Sequence, residues 1–301
     1  MRLFTRSTPL DVEVSPAAAG RGDVVTAVVS SSRPIDDVDA ARLEWGYVNF
    51  FRYHWAGRAD SALAQAGREA WLAADVGINA GGERDTDEWV GVSRVPLAVP
   101  ESAPVHTTAS FRVPAWAPPS SPELVRWCCR AIIERRGRDY DAHGEFAVRV
   151  RRADVAASVG STERLAGDAD TTIDIALDEH IVAAGEAIRG RLIVSARRDL
   201  PAGDLAVCWR RCRDSHPLSR RPSRGGALDG PVTAVASRVP LVAGHPVTAP
   251  FVLPLPADAA PSAEAVHSSL RWFVHARLFY VGFSAHLTER VLHPIVVVNR
   301  P

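Results

Sequence analysis

A series of short motifs in the first half of the chain returns in the second half in the same order. Ser93-Arg94-Val95-Pro96-Leu97 recurs as Ser237-Arg238-Val239-Pro240-Leu241. Phe111-Arg112-Val113-Pro114 has a counterpart in Phe251-Val252-Leu253-Pro254. Arg126-Trp127 with Ala131 matches Arg271-Trp272 with Ala276. Leu10–Val14 leads to Gly22-Asp23 as Ile173–Leu177 leads to Gly185-Glu186, and Leu43 and Trp45 parallel Val207 and Trp209. One such match is weak evidence. A collinear series predicts a tandem duplication, so whatever unit folds here must fold twice.

Residues 153–170 are small and polar, with no apolar period, and read as a linker. The expected domains are then residues 1–152 and 171–301. Within each half, apolar residues alternate with polar ones, the signature of half-buried strands. In Leu270–Tyr280, Trp272, Val274, Ala276, Leu278 and Tyr280 share one face, while Arg271, His275 and Arg277 share the other. The stretch around Trp127 divides in the same way, with Cys129, Ala131 and Ile133 beside it and Arg126, Arg130 and Glu134 opposite. Val24–Val29, Phe146–Val150, Thr172–Leu177, Ile188–Val194, Leu205–Trp209 and Ile295–Val298 also read as strands. Prolines and glycines punctuate them at short intervals. The fold class expected is all-β, with two tandem β-sandwiches. Residues 56–74 are Ala-rich and fit either a helix or an edge strand pair.

Composition narrows the function classes. The chain has 301 residues, 47% hydrophobic, with 35 basic and 35 acidic side chains and a formal net charge of zero. All the basic residues are arginine. A neutral molecule gains little non-specific attraction to phosphate backbones, so nucleic acid is not an expected partner. The opening MRLFTRSTPLDVEV has no apolar signal core. The most apolar uncharged stretch, Val239–Ala257, contains five prolines and cannot form a spanning helix. A soluble cytoplasmic protein is expected. Four cysteines in a chain of this length do not make a disulfide framework.

No nucleophile-elbow, P-loop, dinucleotide-binding or zinc-protease motif occurs. Gly81-Gly82, in the acidic stretch NAGGERDTDEW, reads as a turn. Cys208, Cys212 and His216 are spaced by fours. On a straight strand, four residues span about 13 Å, too far for two sulfurs each about 2.3 Å from one zinc ion. Only a hairpin would make them ligands. Cys128 and Cys129 point to opposite faces, with Cys129 expected in the core. The histidines, including His275, His286 and His293, form no catalytic set by spacing. Arg126 and Arg271, each beside a core Trp, are expected to be structural. The stretch 210–230 reads as a mobile basic loop, with Arg210, Arg211, Arg213, Arg220, Arg221 and Arg224 as candidates for holding an anionic partner.

An opening strand ending in a Gly-acid turn, a proline-rich Phe-x-x-Pro stretch, a Trp strand and the closing ERVLHPIVVVN together resemble the arrestin-like superfamily. Bacterial sporulation-control proteins are the nearer analogy. The resemblance is strongest over 171–209 and 237–299. It implies two β-sandwiches and a non-enzymatic adaptor or scaffold, with no cofactor. Sheet edges would suit another protein adding an extended strand. Two other readings remain open: a peripheral adaptor on anionic membranes using the arginine loop, and a metal-binding or enzymatic protein using Cys208, Cys212 and His216.

Overall fold

The computed structural model describes residues 9–55, 82–156, 160–167, 170–218, 222–223, 225–280 and 288–300. The ambiguous stretch 56–74, Gly81, His286 and Arg220, Arg221 and Arg224 of the arginine series lie outside the described residues. The described chain is built almost entirely of strands, in two compact units. One contains residues 1–149 with 215–224 and 264–268, and the other contains 150–214, 225–263 and 269–301.

The first unit has two sheets. One is β1 (Leu10–Ser15), β3 (Val24–Pro34) and β6 (Pro104–Arg112), in the order β1-β3-β6. The other is β2 (Ala18–Gly20), β8 (Tyr140–Arg149), β7 (Val125–Arg135), β4 (Val38–Trp55) and β5 (Gly82–Pro96), in the order β2-β8-β7-β4-β5. Alternation explains why they pack: Val25, Ala27 and Val29 of β3 are buried, as are Leu43, Trp45 and Tyr47 of β4. The Trp45 ring stacks on Phe111 at 5.1 Å between centres, joining the two sheets through their aromatic rings.

The second unit repeats this order. Its smaller sheet is β10 (Thr171–Leu177), β12 (Ala187–Ala196) and β16 (Val247–Pro254). Its larger sheet runs β11 (Ile181–Ala183), β19 (Thr288–Val298), β18 (Ser268–Tyr280), β13 (Leu200–Ser215) and β14 (Gly226–Asp229), with β15 (Thr233–Leu241) also on β13. Both faces meet in one core, in which Ile188, Leu192 and Leu253 join Leu205, Trp272 and Val274. In β16, Ala249, Phe251 and Leu253 are buried, while Pro250 and Pro254 face out. Prolines are tolerated there because β16 is an edge strand among the described residues.

The recurring motifs occupy matching places. Gly22 and Gly185 have φ of 81° and 83°, the left-handed region that glycine enters without cost. The acid after each accepts a backbone N–H three residues back: Gly20 donates to Asp23 at 2.7 Å, and Ala183 donates to Glu186 at 2.8 Å. Each Gly-acid turn leads from a short strand paired in parallel with the last long strand, β2 on β8 and β11 on β19. Trp127 and Trp272 are both buried, on β7 and β18. Their indole N–H groups donate to the carbonyls of Pro118 and Ala260, at 2.8 and 2.9 Å.

Three stretches differ from the sequence reading. Within 153–170, Glu163–Ala166 forms strand β9, paired antiparallel with β19. Arg164 anchors it by bonding the buried Glu289 carboxylate at 3.1 Å and the Thr171 carbonyl at 2.8 Å. Gly167, at φ 124°, leaves the space that the Glu289 carboxylate occupies. Long-range pairing thus overrides linker-like composition. Gly82 is not a turn residue but opens β5, whose acidic residues are expressed on an exposed edge rather than a loop. Arg210, Arg211 and Arg213 are not in a loop either: they lie in β13, paired with β14 across Arg210–Asp229 to Arg213–Gly226. Arg210 is stabilised there by two bonds to Asp229, at 2.6 and 2.9 Å, a counter-charge nineteen residues away.

Candidate functional site

Among the described residues, one set of three potential metal ligands converges: Cys208, Asp229 and His275, whose ligand atoms lie within 4.8 Å of one another. The backbone pattern explains the meeting. In β13, Val207 and Trp209 enter the core, so Cys208 points to the opposite face. In β18, Val274 and Ala276 do the same, which turns His275 to that face too. Asp229 closes β14 opposite Arg210. Cys208 and His275 are nonetheless fully buried.

Two arginines complete the cluster. Arg277 Nη2 donates to Asp229 Oδ2 at 2.6 Å, lies 3.3 Å from His275 Nδ1 and is 3.8 Å from Cys208 Sγ. The Cys208 Sγ and His275 Nδ1 atoms are 3.8 Å apart, and His275 Nδ1 is 3.6 Å from Asp229 Oδ1. Burial, reinforced by the Arg210 and Arg277 charges, pushes the His275 pKa down to about 4, and Asp229 opposes this only in part. Burial also raises the Cys208 thiol, while hydrogen bonding to Arg210 lowers the Asp229 carboxyl. At neutral pH the cluster therefore holds a thiol, a neutral imidazole, a carboxylate and two guanidinium groups.

This arrangement limits its chemistry. A nucleophilic relay needs the base to face the nucleophile with one ring nitrogen and the orienting acid with the other. Here Cys208 and Asp229 both face Nδ1, and His275 Nε2 is buried without a hydrogen-bond partner. A metal ion would need the place among the three ligands where the Arg277 guanidinium already sits. The cluster is a charge network with its own cation at its centre.

Of the sequence candidates, Cys208 enters this cluster, whereas Cys212 and His216 do not. Cys212 lies four residues along the same strand, and His216 Nε2 lies 3.2 Å from the Ala265 carbonyl. Arg210 is tied to Asp229, so its charge is compensated within the sheet. Arg126 lies over the Phe50 ring at 5.3 Å and pairs with Glu145 at 3.4 Å, and Arg271 pairs with Asp214 at 2.6 Å. Cys129 is buried as expected, and so is Cys128, with burial pushing the Cys128 thiol up to about 11. Sequence reasoning missed Asp229 and Arg277 as partners of Cys208. The one available signal was the alternation that put Arg277 and His275 on the same face.

The long strand β5 is the other feature with functional bearing. It pairs with β4 over Gly82–Trp55 to Pro96–Arg42, and its second edge has no strand partner among the described residues. None of its residues is buried. Its first half carries Glu83, Asp85, Asp87 and Glu88, against Arg84. Asp85 bonds Arg52 at 2.7 Å, and Arg84 covers the Trp55 ring at 4.5 Å. No helix of the described residues is long and apolar enough to cross a membrane. No protein-family model matches the chain, and comparison with curated proteins finds no match.

Proposed function

We propose that the protein is a non-enzymatic, arrestin-like adaptor that binds another protein by accepting an extended strand on β5. The observation that carries this reading is the fifteen-residue β5 with one edge unpaired among the described residues. Such an edge presents a row of backbone donors and acceptors, which a peptide in extended form satisfies. The acidic first half of β5 favours a segment rich in arginine or lysine over a neutral one. The arrestin-like assignment and the tandem duplication draw support from the matching strand order and from the equivalent Gly-acid turns and Trp bonds of the two units. The proposed setting is a scaffold role in a bacterial cytoplasm.

The test is affinity purification of the full chain from its native host, with a photo-crosslinking residue at Asp87 and mass spectrometry of the adduct. A single basic segment crosslinked to β5, lost on Asp85→Lys/Asp87→Lys at unchanged melting temperature, supports the proposal. The same partners recovered at the same salt midpoint by the charge-reversed variant would remove β5 from the reading.

A further inference from the structure

Two histidines from distant parts of the second unit meet nitrogen to nitrogen. His180 lies in the turn into β11, where its carbonyl accepts the Val296 N–H at 2.9 Å. His293 lies on β19. His293 Nε2 and His180 Nδ1 are 3.4 Å apart while the ring centres are 5.3 Å apart, so these two nitrogens face each other. The other nitrogen of His293, Nδ1, is 2.8 Å from the Thr162 hydroxyl, in the segment leading into β9. His293 is thus carried on a paired strand, and His180 on backbone hydrogen-bonded to that same strand.

The chemistry of the pair follows from this geometry. His293 is 7% exposed. A neutral imidazole carries one lone pair on its unprotonated nitrogen. If Nδ1 donates its proton to Thr162, that lone pair lies on Nε2, directed at His180. This is how an outer hydrogen bond fixes the tautomer of a ligating histidine. Two imidazole nitrogens on one tetrahedral zinc ion, each about 2.0–2.1 Å from the metal, stand about 3.4 Å apart. Glu179, the neighbour of His180, is occupied with Arg152 at 2.5 Å and is not counted as a ligand. We propose that His180 and His293 form a two-histidine site for a divalent cation of the zinc or nickel class, with Thr162 as a positioning residue and water filling the remaining coordination positions. Imidazole ligands select such cations over magnesium or calcium.

The experiment titrates Zn²⁺ into the full chain at neutral pH, in a Cys212→Ser background that removes a half-buried competing thiol, and reads binding by calorimetry and melting temperature. One saturable equivalent is expected, with a rise in melting temperature. His180→Ala should abolish both, and Thr162→Val should weaken binding by about tenfold. His106→Ala, an exposed histidine on β6, should change neither. His293 is buried and its replacement could disturb folding, so His180→Ala carries the test, with its fold checked in chelator. No saturable binding by the parent chain would overturn the proposal and leave a plain histidine–histidine hydrogen bond. Binding that survives His180→Ala undiminished would overturn it equally.

Discussion

Asn49 sits fully buried in the first unit with its amide satisfied on both sides. Its nitrogen donates to the Leu124 carbonyl at 3.0 Å and to the Ser268 hydroxyl at 2.8 Å, and its oxygen accepts the His267 N–H at 2.7 Å. Replacing it by Ala orphans buried partners that water cannot reach. Asn49→Ala is expected to cost about 2–3 kcal/mol in denaturant unfolding. His275 supplies a pH signature of opposite origin to a salt bridge. Its folded pKa of about 4 lies below the value of 6.5 for an unperturbed ring, so the unfolded chain binds the extra proton. Its contribution is fully present above pH 6.5 and is lost as pH falls toward about 4. The loss approaches roughly 3 kcal/mol, and a His275→Gln variant should show a shallower fall in stability across that window. The cysteines differ in access rather than in type. Cys212, the one thiol that is not buried, should be alkylated first under native conditions, with Cys128, Cys129 and Cys208 following only on unfolding.

Strands were legible in the sequence because burial alternates along them, and the two tryptophan strands were the clearest case. Trp127→Ala and Trp272→Ala should each cost about 3–5 kcal/mol, measured by chemical denaturation, and a loss under 1 kcal/mol in either would contradict its place in the core. Edge elements were harder to read. β5 and β14 pair through their backbones while most of their residues are exposed, so acids, serines and glycines there look like loop. β9 is four residues long, and its place depends on Arg164 reaching Glu289, 125 residues away. The same limit hid the polar clusters. Cys208 and His275 are 67 residues apart, and His180 and His293 are 113 apart. Spacing along a chain carries no information about neighbours across a sheet unless the register is known.

At the scale of the molecule, the compact units do not follow the halves of the sequence. The first unit takes in residues 215–224 and 264–268 as well as 1–149. A fragment ending at residue 152 lacks the His267 and Ser268 groups that satisfy Asn49. It is expected to unfold at lower denaturant than the first unit does in the full chain, with amide exchange fastest at the Asn49 end of β4. Addition of a peptide covering residues 262–270 should recover part of that protection.

The Asn49 bonds also impose a schedule on a growing chain. Asn49 and its partner His267 are separated by 218 residues. At about 5–20 residues per second, the second partner leaves the ribosome roughly 11–44 s after the first. Until then the nascent first sandwich can offer the Asn49 amide the Leu124 carbonyl, but no His267 N–H for its oxygen and no Ser268 hydroxyl. Its final closure is therefore an event of late translation, and the interval is when the half-made protein has most need of a chaperone.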